Sequence, residues 1–122
     1  MEKLNILLDL DNTVCANKQN DESYEDVKPL PGAVEQIQQW KKDGHTISIY
    51  TARHMKTCNN DIGEIIVKQS RLILNWLDKY NIPIDKLYFG KPNADVIIDD
   101  KAIRAENWKQ IKNDVDKLLK TS

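Results

Sequence analysis

The chain has 122 residues, 40% of them hydrophobic, with 18 basic and 19 acidic side chains and a formal net charge of −1. That suits one domain, residues 1–122, with its own core, and leaves little for a second. The even charge balance argues against a nucleic-acid partner. No apolar stretch nears the roughly 20 residues of a bilayer span, and no basic-then-apolar export signal opens the chain, so the expectation is a cytoplasmic protein without a membrane partner.

In chain order, the first element is an apolar run, Leu4, Ile6, Leu7 and Leu8, that rises into Asp9 and Asp11 and stops at Asn12-Thr13. A run of this kind reads as a buried strand in a parallel sheet. A polar stretch, Ala16 to Lys28, offers few apolar anchors and reads as a loop or short flap. Pro29-Leu30-Pro31-Gly32 punctuates the chain before a helix over about Ala33 to Asp43, with Val34, Ile37 and Trp40 inward and Gly44 as its stop. His45 to Tyr50 alternates and is rich in β-formers, which makes it the second strand, ending in Thr51-Ala52-Arg53-His54. After a second polar loop, Lys56 to Gly63, a long helix runs to about Tyr80, with Ile65, Ile66, Leu72, Ile73, Trp76, Leu77 and Tyr80 as its expected buried stripe. Lys86 to Gly90 and Asp95 to Ile98 are two short strands, followed at once by Lys91-Pro92 and Asp99-Asp100. A last helix, about Ala105 to Lys120, is expected to bury Trp108, Ile111, Val115, Leu118 and Leu119.

This alternation predicts an α/β layer fold with a mostly parallel sheet and right-handed crossovers. Such sheets bind ligands at the C-terminal ends of their strands. Each strand here ends in chemistry: Asp9 and Asp11, Thr51, Lys91, and Asp99 with Asp100. Taken singly, each ending has a plain structural reading: a turn rich in Asp and Asn, a strand-end Thr, a surface lysine, a helix cap. Four on one edge make a site. Asp9 and Asp11, one residue apart on an extended chain, leave on the same side. Clustered carboxylates repel unless a positive charge joins them, and oxygen-only donors suit Mg²⁺. A metal, a lysine, a hydroxyl and a carboxylate nucleophile are the parts needed to handle a phosphoryl group.

The ordered set DLDNT, YTAR, GKP and VIIDD resembles the four signature motifs of the haloacid dehalogenase-like superfamily, over about Leu4 to Trp108. Within it, PLPGAVEQIQQWKKDGHTISIYTARHM, LNWLDKYNIPIDKLYFGKP and IIDDKAIRAENW are similar to the small capsule-biosynthesis phosphatases. The resemblance implies a three-layer Rossmann-like fold and a Mg²⁺-dependent phosphatase working through an aspartyl-phosphate. Asp9 is then nucleophile and metal ligand. Asp11 is general acid/base and lends its backbone carbonyl to the metal. Thr51 binds phosphoryl oxygens, helped by backbone N–H groups near Asn12 and Ala52. Lys91 holds the phosphoryl group, and Asp99 and Asp100 complete the metal shell. Thr13 is expected to brace the turn, and Arg53 is a candidate substrate contact. The implied partner is a small phosphorylated molecule, a sugar phosphate or related precursor of surface polysaccharide.

The insertion points after the first and second motifs are short, so the protein is expected to be essentially capless. Either an oligomer neighbour supplies the missing wall or the site stays open. Two alternatives keep part of this chemistry. A phosphotransferase or mutase of the same fold gives the phosphoryl group to a sugar hydroxyl. A receiver-like signalling domain has similar parts, but its acceptor Asp would end a middle strand, where this chain has Thr51. The two cysteines, Cys15 and Cys58, are too few for a disulfide framework and lack zinc-ligand spacing. Both lie just past a motif, which raises the hypothesis of a regulatory disulfide.

Overall fold

A computed structural model describes residues 3–90 and 94–120, with side chains as far as Leu118. Four strands form the sheet: β1 (Asn5–Asp9), β2 (Thr46–Tyr50), β3 (Lys86–Tyr88) and β4 (Val96–Ile98). Three helices accompany them: α1 (Ala33–Lys42), α2 (Ile62–Lys79) and α3 (Trp108–Lys120), with one 3₁₀ turn at Tyr24–Asp26. The strand order is β3-β2-β1-β4 and every pairing is parallel. This is an α/β fold consistent with the three-layer Rossmann-like class. All four C-terminal strand ends therefore share one edge.

The core follows from side-chain alternation. Ile6 and Leu8 of β1 sit in register with Ile47 and Ile49 of β2, so all four project from one face. Against that face pack Ile37 of α1 and Ile73, Trp76 and Leu77 of α2, in a single buried cluster. α1 connects β1 to β2 and α2 connects β2 to β3, stepping in one direction across the sheet, and right-handed crossovers place both on one side. Polar groups fix the sheet's opposite edge. Asp85 accepts a 2.8 Å hydrogen bond from the Ile47 N–H and pairs with Lys41, and Asp95 accepts one from the Asn5 N–H.

The stretch after β1 is a flap and not a cap domain. It returns antiparallel to its own start, with Ala16 N–H to Lys28 O at 2.8 Å and Leu30 N–H to Val14 O at 2.9 Å. Val27 is buried beneath it, and its carbonyl accepts the Trp76 indole N–H at 2.8 Å. Two helix expectations need correction. On α2 the buried stripe is Ile65, Gln69, Ile73, Trp76 and Leu77, and Ile66 is exposed. On α3 Trp108 is 81% exposed, and Val115 and Leu118 are exposed as well; Leu119 lies outside the described side chains. No helix among the described residues is long and apolar enough to cross a membrane.

Candidate active site

β1 and β4 are paired in register, Leu8 opposite Ile98, so the next residues on each, Asp9 and Asp99, meet at the carboxyl edge. Carboxylate oxygens of Asp9, Asp99 and Asp100 lie within 4.8 Å of one another. The three are held from several sides. The Tyr50 hydroxyl at the end of β2 donates to Asp99, and the Lys101 N–H donates to the same carboxylate at 2.8 Å. The Asn12 amide donates to Asp100 at 3.1 Å, which holds the Asp100 carboxyl below the usual range. Burial, then a hydrogen bond with Asp100 and the charges of Asp99, Asp100 and Asp11, pushes the Asp9 carboxyl up to about 7. Burial and neighbouring negative charge both disfavour the ionised form here, and none of the ion pairs found among the described residues involves these three acids. An all-oxygen donor set of this charge fits a hard divalent cation such as Mg²⁺.

Asp11 stands apart from this triad. Regular alternation ends with the strand at Asp9, and the chain then turns. The Val14 and Cys15 N–H groups both bond to the Leu10 carbonyl, and Asn12 takes a left-handed φ of 59°, a conformation that Asn tolerates better than most residues. The Asp11 carboxylate is thereby aimed at Arg53, whose Nε lies 3.0 and 3.1 Å from its two oxygens. The Thr51 hydroxyl at 3.4 Å and the Cys15 thiol at 3.7 Å also donate to it.

The Arg53 side chain is only 2% exposed. Its Nη1 donates to Gln69 Oε1 at 3.3 Å and its Nη2 to Cys15 Sγ at 3.8 Å. The Tyr24 ring, from the flap, lies 4.0 Å from the guanidinium carbon. Gln69 in turn contacts His54 Nε2 at 2.9 Å. The guanidinium is held against Asp11, and Arg53 also lines the open cleft. The Cys15 thiol is pushed up to about 11, first by burial and then by the Asp11 charge, so it stays protonated. Both cysteines are free and buried.

Above these groups opens a cleft of about 600 Å³, walled by Asp9, Asp11, Tyr50 and Asp99 and by the basic side chains Lys18 and Lys101. Of the expected residues, Ala52 is exposed on the cleft wall. Thr51 is buried, its hydroxyl accepting the Arg53 N–H at 3.1 Å while it faces Asp11. The Asn12 N–H is already engaged with the Cys15 carbonyl at 2.7 Å. The Thr13 hydroxyl is buried without a hydrogen-bond partner among the described residues, so it braces nothing there. Lys91 lies outside the described residues. Three neighbours of Asp11 and Arg53 were not foreseen: Gln69, Tyr24 and Cys15 in its packing role. Gln69 had a signal, a polar residue in register with the apolar stripe Ile65 and Ile73; Tyr24 had none beyond being the flap's one aromatic.

No family model and no curated protein matches the chain. Among solved structures, a conserved protein from Bacteroides thetaiotaomicron is 16% identical with a TM-score of 0.57, covering 96% of this chain and 93% of its own, a likeness of fold. The crystal structure of an MCSG target from Vibrio cholerae has a TM-score of 0.65 and 32% identity, covering 93% of this chain and 98% of its own. At that identity over nearly the full length of both, the chain belongs to the same family as the Vibrio cholerae protein.

Proposed function

We propose that this chain is a Mg²⁺-dependent phosphomonoesterase of the haloacid dehalogenase-like type, acting through an aspartyl-phosphate on Asp9. The observation that carries the reading is the division of acids at the carboxyl edge. Asp9, Asp99 and Asp100 form a cluster fit for a cation, and Asp11 lies apart from it, held by the Arg53 guanidinium. Bound there, the cation would be held by those three carboxylates and would offset the charge of phosphoryl oxygens.

The chain's own residues then do the following. A carboxylate oxygen of Asp9 attacks phosphorus, forming the acyl-phosphate bond as the ester P–O bond breaks, and Asp11, which enters this step protonated, delivers its proton to the departing oxygen. Water next attacks the phosphorus of the intermediate. Asp11 takes its proton, the acyl-phosphate bond breaks, and Asp9 and inorganic phosphate are released. Lys18 and Lys101 on the cleft wall favour an anionic substrate. A cleft of about 600 Å³ suits a small molecule. A sugar phosphate or related precursor of surface polysaccharide is the substrate class that the sequence resemblance supports, with Lys91 holding the phosphoryl group.

The test is steady-state phosphate release from sugar phosphates, nucleotides and p-nitrophenyl phosphate, with Mg²⁺ or with chelator. Turnover is expected to require the metal and to vanish in Asp9→Asn. Absence of turnover on every member of the panel would overturn the assignment.

A further inference from the structure

Arg53 is a costly residue to bury. Its side chain is 2% exposed, against 26% for its partner Asp11. A buried ion pair seldom stabilises a fold more than apolar side chains of the same volume would, because both charges lose water. What such a pair can supply is one fixed geometry. All three nitrogens and one flat face of this guanidinium are engaged: Nε at both oxygens of Asp11, Nη1 at Gln69, Nη2 at Cys15, and a flat face under Tyr24. The holds come from three separate places in the chain, which are the turn after β1, the flap and the middle of α2. Both oxygens of Asp11 accept from the guanidinium, and Asp11 also lines the cleft.

We propose that Arg53 is a positioning residue for Asp11: locked by Gln69, Cys15 and Tyr24, it fixes the direction in which the Asp11 carboxyl meets the leaving group. This rests on the phosphatase reading above. A proton donor contributes only when held within hydrogen-bond reach of the oxygen it serves. The clamp therefore acts on the chemical step, in which the proton moves. The Tyr24 contact also ties the flap to the acid/base, since the ring that covers the guanidinium belongs to the segment walling the cleft.

The experiment compares wild type, Arg53→Lys and Gln69→Met, each checked for folding by circular dichroism. Two substrates are used, an alkyl phosphate with a poor leaving group and 2,4-dinitrophenyl phosphate, whose leaving group needs no proton. Arg53→Lys keeps the charge but replaces a fork with a single point. Its kcat/KM is expected to fall about a hundredfold on the alkyl ester, with the KM of that ester unchanged, and little on the dinitrophenyl ester. Gln69→Met keeps the ion pair and removes one of its holds, and should show the same selective loss, smaller, even if Arg53→Lys fails to fold. Equal losses on the two esters, or none, with an active wild type, would overturn the positioning role and leave the phosphatase reading standing. An inactive wild type would overturn both.

Discussion

Asp9 illustrates how a single carboxyl can be held in a state the fold disfavours. Its acidity is displaced from 3.8 to about 7 by burial and by the acids around it. The folded protein therefore binds a proton that the unfolded chain has released at neutral pH. The sign follows from linkage: stability from this group is fully present below pH 3.8 and is lost as pH rises toward about 7. Asp100 and Asp85 are displaced the other way, Asp100 by the Asn12 amide and Asp85 by the Lys41 ammonium. Their contributions fade only as pH falls below the ordinary carboxylate range, so of these three groups Asp9 is the one that acts between pH 5 and pH 7. Metal-free protein should melt at a higher temperature at about pH 5 than at about pH 7.5. Asp9→Asn, which removes the charge and keeps the shape, should flatten that difference and raise the melting temperature at neutral pH. Thermal melts in chelator at the two pH values decide it; a wild type more stable at the higher pH would contradict the account.

At the scale of elements, the strands and α1 were legible because period and punctuation agreed. The β2 expectation of His45 to Tyr50 stands against Thr46–Tyr50, and Ala33 to Asp43 against Ala33–Lys42. The relation between Asp9 and Asp11 was not legible. Alternation puts them on one side only while the chain stays extended, and β1 ends at Asp9. The left-handed Asn12 then turns Asp11 toward Arg53, a partner 42 positions away that no local pattern announces. α3 failed for a different reason. Its stripe of Trp108, Ile111, Val115 and Leu118 is amphipathic, but periodicity reports a face and not whether anything covers it. The contrast between two tryptophans makes this testable. Trp76 is buried with its indole N–H on the Val27 carbonyl, whereas Trp108 is 81% exposed. Iodide should quench a distinct, red-emitting fraction of the fluorescence, and Trp108→Phe should remove that fraction while leaving the blue-emitting remainder. A wild type that iodide does not quench would place Trp108 under cover.

For the whole molecule, the parallel sheet converts distant sequence into one edge. Asp9 ends β1, Asp99 and Asp100 follow β4, and the two strands touch through a ladder of only three residue pairs. β4 is also an edge strand, with Val96 and Ile97 left exposed. A cation shared by these acids would thus clip the least-buried strand onto the central one. An unfolded chain cannot hold three carboxylates together over that separation, so binding to the native state alone should raise stability by mass action. At a free Mg²⁺ concentration a hundred times the dissociation constant the gain is about 2.7 kcal/mol, roughly 10 °C for a domain of this size. The shift should be larger at pH 7.5 than at pH 5, because the ion competes with the proton held on Asp9. Replacing both partners (Asp99→Asn with Asp100→Asn) should abolish it while leaving the metal-free protein no less stable, since the substitutions also remove like charges beside Asp9. Melting curves across a Mg²⁺ titration read this directly. A wild type whose melting temperature does not respond, or a double variant that responds equally, would show that the triad does not hold the ion.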